Sequence, residues 1–226
     1  MNARGLDVSK YEPNPVNIDW GAYDFGIVRA FDGVTADPLF KQHRDYVRAS
    51  GIPWWCYSFY DFRYDAKRQA QRTVELIQED PGCLPVAFEL EEWGKPPFKV
   101  EFPPRVRLLT GLGNLINEYY RLTNKKPFIY LNPDAINHLS PVPDWLLNCP
   151  LWIAHWYAVN PKYTPWVEWT LWQWRGEPDH SWFNGTKEEL AAYIQFHGNP
   201  PPEPKDWQHS VDAFLRTVGY TGPEPE

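Results

Sequence analysis

The chain has 226 residues, a length that fits one large domain around a single core better than two. Its formal net charge of −7 and the lack of any Lys/Arg run exclude a nucleic-acid partner, which needs a basic patch. No stretch approaches the roughly 18 consecutive apolar residues of a membrane span, so no membrane partner is expected.

In chain order, RGLDVS is a short apolar strand reaching Asp7 before the Pro- and Asn-rich YEPNPVN. FGIVRAFDG repeats that arrangement, with Ile27 to Phe31 as strand and Asp32 at its end before Gly33. From Asp37, DPLFKQHRDYVRAS predicts a helix with a capping Asp and Pro at the first helical position, stopped by Gly51 and Pro53. WWCYSFY is an aromatic strand, and AKRQAQRTVELIQED is an amphipathic helix with Ala66, Ala70, Val74 and Ile77 on one face.

CLPVAFELEEW reads as a buried strand ending in carboxylates, followed by the long helix PPRVRLLTGLGNLINEYYRLTN and the strand KPFIYLN. The G-L-G at Gly111 to Gly113 falls inside that helix and reads as a close helix contact, not a phosphate cradle. Alternating strands and helices imply parallel pairing, hence a (β/α) barrel. PLWIAHWY and WTLWQW are strand-like, but the segment between them has two prolines and no helical period, so the last third is expected to be strand-rich. TKEELAAYIQFHG closes the domain. A catalytic barrel over 1–198 is therefore expected, with a Pro-rich linker and a short helix over 199–226.

Cys56, Cys83 and Cys149 are odd in number and sit in apolar surroundings, so they read as buried free thiols. No Cys or His spacing suggests a metal site, and neither metal nor cofactor is expected. Met1 to Ser9 lacks the build of a secretory signal. The 13 Trp exceed usual packing needs, and sugar faces stack well on indole, so the composition leans toward a carbohydrate ligand.

Functional groups of a parallel barrel gather at the C-terminal strand ends, where Asp7, Asp32, Glu89, Glu91 and Asp179 are candidates. Residues two apart on a strand point the same way, so Glu89 and Glu91 should face the mouth together while Leu90 points into the helix layer. Their repulsion, helped by Phe88 and Trp93, is expected to raise one pKa and keep a proton available, as glycosidic cleavage requires. Alone, E-L-E-E also fits a solvated acidic turn, and Asp7 or Asp179 singly fits a cap or turn equally well.

Together these segments resemble glycoside hydrolase family 25, over roughly residues 4–196. GLDVSKY is similar to the family's opening G-[IL]-D-V-S-x-[WY], which places Asp7 at its N-terminal catalytic aspartate, and NIDW to the following I-D-W. PVAFELEE resembles the strand carrying D-x-E, whose glutamate, here Glu91, is the general acid. GIPWWCYSFY, PFIYLN, LWIAHW and LWQW supply Tyr57, Tyr130, Trp156 and Gln173 at cleft positions, and DHSWFNG resembles D-x-N-x-F-x-G, aligning Asp179 with the C-terminal aspartate. Three positions depart from the pattern: Glu89 for the usual Asp, Asp32 for the common Glu, and Ser181 for the usual Asn. Displacing a positioning group by about 1 Å costs on the order of a hundredfold in rate, so Glu89 bears on activity and substrate preference.

The resemblance implies an irregular barrel of the triosephosphate-isomerase (TIM) type, with five regular β/α units and a strand-rich end. It implies a monomeric lysozyme cleaving the β-1,4 bond between N-acetylmuramic acid and N-acetylglucosamine in peptidoglycan glycan strands. Glu91 would be the acid and Glu89, Asp7 and Asp179 its catalytic companions, while Tyr57, Tyr130, Trp156, Gln173 and Asp32 would bind substrate. Either the substrate's acetamido oxygen attacks, oriented by Glu89, or an aspartate activates water. A glycan-binding barrel weakened by the Glu89 change and a chitinase-like hydrolase are the competing readings. A phage endolysin held in the host cytoplasm until it reaches the wall fits the missing export signal, as does an extracellular enzyme exported by another route.

Overall fold

A computed structural model describes residues 1–198 except 13, 95 and 96; the segment 199–226, expected to be a linker and short helix, lies outside the described residues. The strands are β1 (Arg4–Val8), β2 (Phe25–Asp32), β3 (Thr35–Ala36), β4 (Trp54–Phe59), β5 (Ala87–Leu90), β6 (Phe128–Leu131), β7 (Leu151–Ala154), β8 (Leu171–Arg175) and β9 (Asp179–Phe183). Sheet order is β1-β9-β8-β7-β6-β5-β4-β2-β3, and β1 also pairs with β2. That last pairing closes an eight-stranded barrel, with the two-residue β3 appended to β2. Parallel ladders run from β1 through β2, β4, β5, β6 and β7 to β8, whereas β9 is antiparallel to both its neighbours.

The α-helices are α1 (Phe40–Ala49), α2 (Ala66–Ile77), α3 (Arg105–Thr123), α4 (Pro133–Leu139), α5 (Asp144–Leu147) and α6 (Lys187–Gly198). Among the described residues they follow β2, β4, β5, β6 and β9, the β6 step using both α4 and α5. β1 leads only into 3-10 turns and β7 into a helix-free loop, so four parallel strands are followed by helices, while α6 follows the antiparallel β9, where five regular units were expected.

Strand alternation sorts the apolar residues into two cores. One lies between strands and helices and contains Val28, Cys56, Phe88, Leu90, Ile129 and Ile153 with the inner faces of α1 to α5. The other fills the barrel, with Phe25, Ile27, Trp55, Ala87, Phe128 and Trp152. Leu190 belongs to this inner core, and Tyr193 packs against Phe128 and Phe183, so α6 plugs the end of the barrel opposite the strand C-termini. With its floor packed, the barrel has room for polar side chains only at its mouth.

Helix α1 starts later than its cap signal predicts. Asp37 accepts from the Leu39 N–H at 2.9 Å, but its other oxygen takes the Arg29 Nε at 2.8 Å and the Lys10 N–H at 2.9 Å. A buried guanidinium needs a counter-charge, and that demand draws Asp37 under the barrel mouth. Cys56 and Cys149 are buried free thiols, while Cys83 is partly exposed.

Gly5 sits opposite Phe25 in the β1–β2 ladder, and a Cβ there would lie 1.9 Å from the Phe25 ring, which stacks on Trp55. Gly5→Ala is expected to lower stability by about 1–3 kcal/mol through overpacking. Urea unfolding midpoints measure this, and Phe25→Leu in the same background should recover part of the loss.

Candidate active site

The barrel mouth holds a cavity of about 330 Å³ whose lining includes all nine predicted site residues: Asp7, Asp32, Tyr57, Glu89, Glu91, Tyr130, Trp156, Gln173 and Asp179. Asp7 comes from β1, Asp32 from the end of β2, Tyr57 from β4, Glu89 from β5, Tyr130 from β6 and Gln173 from β8. Glu91 follows β5 by one residue, and Trp156 lies two beyond β7.

Asp179 reaches the mouth by a different route from the one expected. It opens β9 instead of ending a strand, and because β9 runs antiparallel its first residue lies at the same end as the other strands' last ones. In the β1–β9 ladder Asp179 stands directly opposite Asp7.

Gln173 organises one wall. Its amide nitrogen donates to Asp7 at 2.9 Å, and its oxygen accepts from the Tyr130 hydroxyl at 2.9 Å and from the Trp156 indole at 2.7 Å. With an acceptor on one side and two donors on the other, the amide has a single satisfied orientation. Ser181, in place of the family's Asn, accepts from Trp152 Nε1 at 3.0 Å and lies 3.5 Å from the second Asp7 oxygen. Asp32 is held in an ion pair with Lys10 at 2.7 Å.

Burial is the first cause of every carboxyl shift here. It holds Asp7 well above the usual carboxylate range, with Asp179 and Glu89 adding to the rise and Gln173 opposing it. Burial and then Glu91 push Glu89 well up, against the pull of Arg29. Glu91 is raised to about 7 by burial and then by Asp179, and Asp179 to about 6 by burial and then by Glu12. The expected mutual repulsion is thus secondary to desolvation. Phe88 plays no part in it, for its ring turns outward against Tyr119 of α3, whereas Trp93 does line the cavity.

Among the site residues that sequence reasoning missed, Arg29 is the charged one. Only 6% exposed, it lines the cavity, pairs with Asp37 and stacks over Tyr11 at 5.1 Å. A lone cation inside the apolar run FGIVRAF was the available signal, since a buried charge requires a partner. Ser9, Tyr11 and Trp152 also line the cavity without having been singled out. Among the described residues no cluster of His, Cys, Asp and Glu is placed to hold a metal ion, and no helix is long and apolar enough to cross a membrane.

The family model for Glycosyl hydrolases family 25 matches residues 6–181. The chain belongs to that family. It is 26% identical to the uncharacterized protein YegX of Escherichia coli (strain K12) over 210 residues, covering 84% of this chain and 72% of YegX. Among solved structures, a family GH25 lysozyme from Aspergillus fumigatus superposes with a TM-score of 0.74 at 21% identity, over 88% of this chain and 100% of that one. A bacterial lysozyme from Streptomyces coelicolor gives 0.74 at 20% identity, over 89% and 99%. These likenesses establish the fold, and the family match makes the chain a glycoside hydrolase.

A raised carboxyl pKa carries a stability cost whose sign is fixed. Between about pH 4 and pH 7 folded Glu91 keeps a proton that the unfolded chain releases, so its contribution worsens as pH rises through that window. Glu91→Gln is therefore expected to stabilise the protein by about 1–3 kcal/mol at pH 8 and by almost none at pH 4. Denaturant titrations at the two pH values test this, and equal effects at both would refute it.

Proposed function

We propose that this family member is a peptidoglycan muramidase, hydrolysing the β-1,4 bond between N-acetylmuramic acid and N-acetylglucosamine with Glu91 as the proton donor. The observation that carries the reading is a carboxyl raised to about 7 among ionisable neighbours in an aromatic-walled cavity. At neutral pH such a group is protonated in about half of the molecules and gives its proton up readily, which leaving-group protonation needs.

In the scheme these residues support, Glu91 protonates the glycosidic oxygen as the bond from that oxygen to the anomeric carbon breaks. The substrate's 2-acetamido oxygen forms the new bond to that carbon, with Glu89 orienting the amide and Asp7 and Asp179 stabilising the positive charge. Water then opens the cyclic intermediate, and its proton returns to Glu91. Burial and then Glu91 hold Glu89 toward its protonated form, and the Arg29 guanidinium in the same cavity opposes them. Tyr57, Tyr130 and Trp156 would contact the sugars, with Gln173 fixing Tyr130 and Trp156. Asp32, tied to Lys10, would meet substrate at the rim. The protein would act as a monomer on the bacterial wall.

On purified peptidoglycan Glu91→Gln is expected to lower kcat by roughly 10²–10⁴-fold, the usual worth of a positioned general acid. Reducing-end release with mass spectrometry of the products identifies the bond cut, and equal release by the two proteins would overturn the assignment. Chitin assayed alongside separates this reading from a chitinase. Because the acid must be protonated, kcat/KM should fall about tenfold per pH unit above about 7.

A further inference from the structure

The net charge of −7 hides a local reversal at the rim of the barrel mouth. A groove of about 840 Å³ beside the cleft is lined chiefly by Arg63, Tyr64, Arg68 and Arg72, with Asp65 at one side. Distance along the chain kept these arginines from reading as a basic run. The two nearby acids are already engaged. Asp65 caps α2 by accepting from the Arg68 N–H at 2.5 Å, and Asp61 accepts three hydrogen bonds from the Arg63 guanidinium, at 2.7, 2.9 and 3.3 Å. Among the described residues no carboxylate pairs with the guanidinium of Arg68 or Arg72, which stand one turn apart on α2 and are exposed.

These cations are partly fixed in place. Arg72 donates to the Val34 carbonyl at 2.8 Å and lies over the Phe31 ring, while Arg63 lies over Trp93 at 4.9 Å. Trp93 also lines the catalytic cavity, and Phe31 directly precedes Asp32, which lines it too. The groove therefore joins the cleft across one indole ring. The cleft is lined by five carboxyls and offers an anionic stem little attraction, whereas a cationic rim attracts it where the strand enters.

We propose that this groove binds the carboxylates of the peptide stem carried by the glycan strand in the cleft, an inference that rests on the muramidase reading. Stems are attached to the muramic acid sugars themselves, so a peptide-bearing strand seated for cleavage carries stems beside the cleft. Phosphate-bearing wall polymers, attached at only a few sugars, meet that condition far less often.

The test uses the whole 226-residue chain carrying Glu91→Gln, which cuts strands far more slowly, with and without Arg68→Gln and Arg72→Gln together. Binding is measured to peptide-bearing glycan strands and to the same strands stripped by an amidase, each free of wall phosphate polymers. The parent should prefer peptide-bearing strands by about three- to tenfold at low ionic strength, as two solvated ion pairs would give. The double Gln variant should bind both strands equally, and Arg68→Lys with Arg72→Lys should keep the preference, which separates charge from folding. Equal binding of both strands by the parent, an equal loss on stripped strands, or a loss seen only after wall phosphate polymers are added back would overturn the proposal. Wild-type activity on peptidoglycan with no peptide preference sinks the groove alone, whereas inactive wild-type protein sinks the muramidase reading and the groove with it.

Discussion

Asp7 and Asp179 face one another across the β1–β9 ladder at the mouth of a barrel whose floor is packed with aromatic side chains. Two like charges in register, with Glu89 and Glu91 sharing the same cavity, place a group of carboxyls where water is scarce. Every one of them is pushed toward its protonated form, and burial is the leading cause each time. Such an arrangement works against folding stability. It persists because the closed sheet and the plug of α6 fix the backbone positions of these residues whatever their charges prefer.

The polar groups around the mouth distribute that cost unevenly. Gln173 donates to Asp7, and the buried Arg29–Asp37 pair sets a cation near Glu89. Replacing such an ion pair by apolar residues often leaves stability unchanged or improved, so Arg29 is better explained by the field it places in the cavity than by stability. Asp37 thereby serves two ends of the structure, the start of α1 and the cation beneath the cleft.

Much of this was legible in the sequence because local periodicity carries it. The alternation in LPVAFELE put Glu89 and Leu90 on opposite faces, and the structure agrees, with Leu90 in the outer core and Glu89 lining the mouth. The same alternation sends Phe88 outward with Leu90, so its expected influence on the carboxyls was a misapplied periodicity. Long-range register was not legible. Whether Asp179 ends or begins a strand depends on β9 running antiparallel between β8 and β1, a fact set by sheet closure and not by DHSWFNG itself. Arg29 escaped notice for a similar reason, since its partner Asp37 lies past the next turn and carried a capping signal of its own.

What opposes burial differs among the four raised carboxyls. Asp7 has the Gln173 amide, Glu89 has Arg29, and Asp179 has a backbone hydrogen bond at Glu177; each of these favours the ionised form. Glu91 alone has no such opposing influence, only burial and the nearby Asp179, both of which favour the proton. Burial still outweighs those influences at Asp7 and Glu89, so what sets Glu91 apart from Glu89 is its place one residue beyond β5 at the mouth, not a proton its neighbours lack. An aspartate at position 89 would meet the same guanidinium and the same neighbour, so the departure from the family pattern changes reach more than charge. What the extra methylene alters is where the orienting oxygen stands relative to the sugar, a matter of geometry that bears on substrate fit before it bears on the acid.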